Sequence, residues 1–83
     1  MNKKKLFQNI IQSRGKNVLF SDFQLILESF GYRLDRTKGS HRIYDHKYVH
    51  SSLNIQDENG QAKPYQVHQF LKAVEKHNLK LED

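Results

Sequence analysis

The sequence predicts an α+β fold in which helices cover one face of a small antiparallel sheet. Two observations predict this fold. Apolar residues recur at the helical spacing of three to four in an early segment, in a second segment before residue 31, and in a third after residue 64. The segments between them alternate apolar and polar residues, as strands with one wet face do. The expected order is α-α-β-β-β-α, within a single domain over residues 1–83.

The first two helices follow from their apolar stripes. Residues 3–13 form the first, and residues 22–30 form the second. Ser21 is expected to be the N-cap of the second helix, because Gln24 lies three residues later, as a capping box requires. Gly31 stands where a helix commonly ends in a left-handed residue. The second helix therefore has a start and an end specified by sequence.

Three strands are expected between the second and third helices. Their alternation and the turn residues between them predict a hairpin followed by a third strand with one wet face. The predicted strands are 32–37, 40–44 and 51–56, joined by a Lys38-Gly39 turn and a polar loop over 45–50.

A final helix is expected to begin at Pro64, since proline suits the first turn of a helix, and a loop over 57–63 leads into it. Its charged tail should fray after Asn78. We expect residues 20–78 to form the core and residues 1–15 a helical extension. The core layout, two helices on one face of a three-stranded antiparallel sheet, is that of double-stranded-RNA-binding domains, although layout alone does not assign a function.

The composition of the chain limits which cellular compartment and which kinds of partner we expect. The chain has no Cys and no apolar run of the roughly 20 residues that a membrane-spanning helix needs. Its basic start lacks the apolar stretch of a signal peptide, so we expect a cytoplasmic protein. Ten Lys or Arg against four Asp or Glu give residues 1–50 a charge of +6, whereas four against five give residues 51–83 a charge of −1. The first part of the chain therefore favours a polyanionic partner such as RNA.

One stretch resembles a known family. From Phe20 to His46 the chain reads FSDFQLILESFGYRLDRTKGSHRIYDH: a helix that ends in Gly and an aromatic residue, a strand, and a Gly-Ser-His turn into a second strand. This pattern is similar to the HicA (YcfA-like) toxin family of type II toxin–antitoxin systems, in a divergent branch. The matching residues are Gly31, Tyr32, Gly39, Ser40, His41, Ile43, Tyr44 and His46. The third strand and the start of the last helix depart from the family pattern.

The resemblance implies a fold, an activity and a partner. The fold is like that of a double-stranded-RNA-binding domain. The activity is that of an mRNA interferase, an endoribonuclease whose catalytic residue is the histidine of the Gly-Ser-His turn, here His41. The partner is a HicB-like antitoxin that covers this histidine.

The chemistry of RNA cleavage fits a histidine in a basic turn. RNA carries its own nucleophile, the 2′-hydroxyl, so an enzyme needs a group that moves a proton near neutral pH, and histidine is that group. Phosphate binding is expected from the residues around the turn, namely Arg36, Lys38, Gly39, Ser40 and Arg42. The alternative is an ordinary hairpin turn with a surface histidine. If Ile43 is a core residue, His41 lies at the rim of the covered face, and if Tyr44 is the core residue, His41 faces solvent.

Two other functions remain open from the sequence: a noncatalytic RNA-binding module, and a protein-interaction domain with an acidic partner. The five histidines show no His-Glu-x-x-His spacing and no accompanying carboxylate cluster, so we expect neither a metal nor another cofactor.

Overall fold

A computed structural model describes residues 2–82 of the chain. Its elements are the helices α1 (Lys3–Ser13), α2 (Phe20–Ser29) and α3 (Pro64–His77), and the strands β1 (Arg33–Lys38), β2 (His41–His46), β3 (Val49–Glu58) and β4 (Gln61–Ala62). The strands form one antiparallel sheet in the order β1-β2-β3-β4. The predicted α+β fold, with its additional N-terminal helix, is confirmed.

The sheet is larger than the sequence predicted. The polar loop expected over 45–50 is a turn at Lys47 and Tyr48, because β2 runs on to His46 and β3 already begins at Val49. The loop expected over 57–63 contains a second hairpin and the short strand β4. In that hairpin the Asp57 carboxylate accepts a hydrogen bond from the Gly60 N–H at 2.7 Å. Pairing with a segment distant in sequence fixes β4, since the Ala62 N–H donates to the carbonyl of Val18 at 2.8 Å.

Helix α2 begins earlier than its capping signal predicted. Leu19 is the N-cap and forms no side-chain capping bond, so the predicted Ser21 capping box is wrong. The reason is tertiary: the Phe20 N–H donates to the carbonyl of Gly60 at 2.9 Å, which satisfies one of the free donors of the first turn. The Gln24 amide is then free to donate to the Tyr44 hydroxyl at 3.1 Å.

One apolar core lies between the helices and the sheet. Its most deeply buried side chains come from α2, α3 and the strands: Phe23, Ile26, Leu27, Tyr32, Tyr44, Ile55, Val67 and Phe70. Helix α1 contributes to the same core, because Ile10 is buried and the Phe7 ring packs against Phe30 at 4.7 Å between centroids and against Phe70 at 6.3 Å.

The C-terminal tail packs against the fold, so the expectation that it frays after Asn78 is wrong. Asn78 takes a left-handed conformation that ends α3, and Leu79 is buried. The Glu82 N–H then donates to the carbonyl of Ser29 at 2.6 Å. The burial of Leu79 and this backbone hydrogen bond keep the C-terminal segment packed against the fold, although its charged composition suggested that it would be exposed to solvent.

Candidate functional site

The burial of Tyr44 decides which way His41 points. Tyr44 is 1% exposed and lies on the face of the sheet that the helices cover. Side chains alternate along a strand, so His41 and Ile43 lie on the opposite, uncovered face. We call this surface the His41 face; it comprises Arg36, Lys38, His41, Ile43, Asn54 and Gln56, which the register of β1, β2 and β3 places side by side.

A tight turn places His41 at the start of β2. Gly39 has a φ of +61°, and nothing lies within 4 Å of where a Cβ would stand, so the turn backbone is open to solvent. The turn leads directly into His41, whose register partners are Lys38 on β1 and Gln56 on β3. The histidine therefore lies between a cationic and a polar side chain at one end of the sheet.

A hydrogen bond orients the His41 ring. Its Nδ1 lies 2.8 Å from Oδ1 of Asn54, a residue of the neighbouring strand. An amide oxygen only accepts hydrogen bonds, so Nδ1 carries the proton in the neutral ring, and the lone pair is on Nε2. The strand register thus fixes both the direction of the imidazole and the nitrogen that can accept a proton.

The polar residues of the turn are also held in place. Gln56 donates its side-chain amide to Oγ of Ser40 at 2.9 Å. The backbone N–H of Gln56 in turn donates to Oε1 of the buried Gln66 at 3.0 Å. Because the Ser40 oxygen accepts from Gln56, its own hydroxyl proton remains available to a further acceptor.

The structure separates the basic residues that the sequence grouped together. Lys38 and Arg36 lie on the His41 face, with Arg36 bonded to the carboxylate of its neighbour Asp35. Arg42 is on the covered face, where its guanidinium carbon lies 5.3 Å from the centre of the Phe20 ring. Of the predicted phosphate-binding residues, Arg36, Lys38, Gly39 and Ser40 are near His41, whereas Arg42 points away from it.

A comparison with known protein families identifies the family of this chain. Residues 20–75, more than half of the 83-residue chain, match the family described as the HicA toxin of bacterial toxin–antitoxin systems. The chain belongs to the HicA toxin family. It is therefore the toxin of a toxin–antitoxin pair, with a cognate antitoxin as its partner. Searches of curated proteins and of solved structures found no significant match.

The family match covers part of the fold of this HicA-family toxin. It includes the Gly-Ser-His turn, the sheet and most of α3, and leaves out α1. Within residues 2–82, no helix is both long enough and apolar enough to cross a membrane.

The second histidine of the toxin's family pattern, His46, has structural contacts. It is buried, its Nε2 donates to the carbonyl of Phe30 at 2.8 Å, and its Nδ1 accepts from the N–H of Tyr48 at 3.1 Å. Its ring also meets Tyr32 edge-on at 5.0 Å between centroids. Both nitrogens are occupied, so His46 ties the end of β2 to the end of α2.

Two further candidate proton-transfer groups, His50 and Asp45, lie away from His41 along the strands. His50 and Asp45 each lie four residues along their strands from Asn54 and His41 respectively, roughly 13 Å at the rise of a strand. The Asp45 carboxylate is bonded to the hydroxyl of Ser52. Asn54 is the site residue that sequence reasoning missed, since only the register of β2 and β3 places it beside His41.

Proposed function

We propose that this toxin is an endoribonuclease, an mRNA interferase of the bacterial cytoplasm, in which His41 is the acid–base catalyst. The observation that carries the proposal is the ring of His41 on the uncovered face, with Nδ1 bonded to Asn54 and Nε2 left as the proton acceptor. The family assignment supports the same activity, because a toxin of this type needs a cellular target.

The proposed reaction uses the substrate's own nucleophile. Nε2 of His41 takes the proton of the 2′-hydroxyl, whose oxygen attacks the adjacent phosphorus. The bond to the 5′-oxygen breaks, and that oxygen takes a proton from solvent. The products are a 2′,3′-cyclic phosphate and a free 5′-hydroxyl. Positioned acid–base catalysis of this kind contributes about 10²–10⁴-fold in rate.

Phosphate binding is assigned to the turn and its neighbours. Lys38 is the register partner of His41 and can offer its ammonium group to a phosphate, and Arg36, which is ion-paired with Asp35, lies on the same face. The open turn at Gly39 lets a phosphate approach the backbone, and the Ser40 hydroxyl can donate to it. Because these residues contact phosphate groups and not bases, the affinity for RNA should fall steeply as the salt concentration rises.

The chemistry as proposed needs no metal ion. The 2′-hydroxyl supplies the nucleophile, His41 accepts its proton, and the cations on the His41 face stabilise the phosphate. Cleavage should therefore continue in the presence of EDTA. Loss of cleavage in EDTA that is restored by Mg²⁺ or Zn²⁺ would require a different mechanism.

The test compares His41→Ala with a matched control. His50→Ala removes an exposed histidine from the far end of β3 and should cleave as the wild type does. His41→Ala should lose at least about 100-fold in cleavage rate while keeping its circular dichroism spectrum and most of its affinity for RNA. RNA with a 2′-O-methyl group at the cut position, and DNA of the same sequence, should survive the wild type.

The outcomes separate the competing functions. Unchanged cleavage by pure, folded His41→Ala would remove His41 from the mechanism. Salt-sensitive RNA binding without cleavage by the wild type would identify a noncatalytic RNA-binding module. Failure to bind RNA at low salt would identify a protein-interaction domain.

A further inference from the structure

A groove of about 710 Å³ runs between β3 and α3. It is remote from the Gly-Ser-His turn, because it follows the first half of β3 and the last half of α3. Its lining includes Val49 and Leu53 from the strand and Gln69, Lys72, Ala73 and Lys76 from the helix. One wall of the groove is thus a sheet edge and the other is a helix.

The sheet edge in this groove is open. Strand β4 pairs with β3 only at Asp57 and Glu58, and the N–H of the next outward residue, Gln56, is taken by Gln66. Alternation along the strand directs the backbone groups of Asn54 and Ser52 away from β2 in the same way. Within residues 2–82, no strand pairs with them on that side. The outward backbone groups of β3 are therefore hydrogen-bonded from Gln56 onward, whereas, among the described residues, those before Gln56 have no strand beside them.

The other edge of the sheet is a poorer docking surface. The groove beside β1 is smaller, at about 370 Å³, its lining apart from Leu25 is polar or charged, and the Arg33 side chain in it is already ion-paired with Glu82. The edge at β3 combines unpaired backbone groups with a larger groove that is lined by α3 and has apolar surface. This combination of strand edge and helix receives extended peptides in domains that bind by strand addition.

The walls of the groove specify the chemistry of the occupant. Val49, Leu53 and Ala73 give it apolar surface. Lys72 and Lys76 follow one another by four residues on α3, and neither forms an ion pair with another described residue. An extended segment with apolar side chains on one face and acidic side chains opposite the lysines complements this surface.

We propose that an extended acidic segment of the partner antitoxin docks in this groove and adds a strand beside β3. The proposal rests on the toxin–antitoxin assignment and is independent of the ribonuclease mechanism. A peptide fits better than RNA, because its backbone N–H and C=O groups match the unpaired donors and acceptors that the edge offers at strand spacing.

The added strand would also reach the His41 face. Neighbouring strands lie about 4.8 Å apart, so alternate side chains of the segment would stand beside the Asn54 amide that orients His41. The antitoxin is thereby anchored at a surface that does not include the catalytic ring. Removal of the His41 side chain should leave this anchor intact.

The test measures backbone amide exchange and affinity in the complex with the cognate antitoxin. In wild-type complex, the amides of Ser52 and Asn54 should exchange at least tenfold more slowly than in free toxin, while amides of the β1 edge should not change. The double substitution Lys72→Glu with Lys76→Glu should weaken the complex at least tenfold. The control pair Lys4→Glu with Lys5→Glu, which changes the net charge equally on exposed positions of α1, should have little effect.

Two results would overturn the proposal. One is a stable complex in which Ser52 and Asn54 exchange as fast as in free toxin. The other is slowing of the same amides by a single-stranded RNA oligonucleotide and not by the antitoxin. Neither depends on cleavage, so the ribonuclease assignment can fail while this proposal stands.

Discussion

Gly31 and Gly39 of this toxin both have positive φ angles, but their surroundings are very different. Alanine substitution at the two positions therefore separates backbone strain from steric collision. Gly31, which follows the end of α2, has φ +96°, and a Cβ there would stand 2.8 Å from Nε2 of His46 and 2.8 Å from a carboxylate oxygen of Glu82. Gly39 has φ +61°, and a Cβ there would meet nothing within 4 Å. Gly31→Ala therefore adds strain and a collision, whereas Gly39→Ala adds strain alone.

The expected free energies follow from these contacts. A left-handed conformation costs a non-glycine residue about 1–2 kcal/mol, so Gly39→Ala should lower the free energy of unfolding by that amount. In Gly31→Ala the Glu82 side chain can swing away, but His46 is fixed by its bond to the carbonyl of Phe30. Displacing it breaks a buried hydrogen bond, which adds about 1–3 kcal/mol. The total for Gly31→Ala is then roughly 2–5 kcal/mol.

Urea unfolding followed by circular dichroism at 222 nm checks this prediction, with the two variants and the wild type measured in the same buffer. In a domain of this size, each 1 kcal/mol should also shift Tm by about 4–8 °C. Equal losses in the two variants would show that the contact with His46 carries no energy. A greater loss in Gly39→Ala would refute the reasoning altogether.

Three further outcomes are expected. Asn54→Ala should lower kcat about 2- to 10-fold and leave KM nearly unchanged, because one orienting hydrogen bond is worth about 0.5–1.5 kcal/mol. Steady-state cleavage kinetics measure kcat and KM separately, with Ser52→Ala as the control variant. Tyr32→Phe should stabilise the protein, since the Tyr32 hydroxyl is buried without a hydrogen-bond partner. Burial also raises the pKa of Tyr32 above 10.0. As pH rises, the Tyr32 phenol therefore ionises at a lower pH in the unfolded chain than in the folded protein, so the wild type loses stability above about pH 10. Urea titrations should show that the difference in unfolding free energy between Tyr32→Phe and the wild type grows above that pH. Ile10→Ala should cost about 2–5 kcal/mol in one cooperative transition, because Ile10 is buried in the shared core; a separate early transition would show that α1 folds independently.

The periodic parts of the fold were predictable from the sequence, and the parts fixed by distant contacts were not. The apolar stripes located all three helices, and Pro64 marked the start of α3 correctly. Strand β4 was missed because its backbone pairs with Val18 across the fold. The end of β2 was missed because His46 looks polar in sequence, whereas its two hydrogen bonds allow it to be buried.

The candidate site shows the same division. A turn motif is local, so sequence alone could single out Gly39, Ser40 and His41. The face on which each neighbour lies depends on whether Ile43 or Tyr44 enters the core, and the burial of Tyr44 puts Arg42 on the side away from His41. Asn54 is 13 residues from His41 in the chain, and no local pattern links them.

The Phe70 ring has a consequence for how the toxin is made. This residue of the last helix contacts the rings of Phe7, Phe23, Phe30 and Tyr32, and so joins α1, α2 and the start of the sheet. A nascent chain that has emerged only as far as β3 lacks the side chain around which its aromatic residues pack. Folding during synthesis is therefore completed late, after α3 leaves the ribosome. The histidine turn is synthesised before α3, but the aromatic core beneath its sheet is complete only once Phe70 is in place.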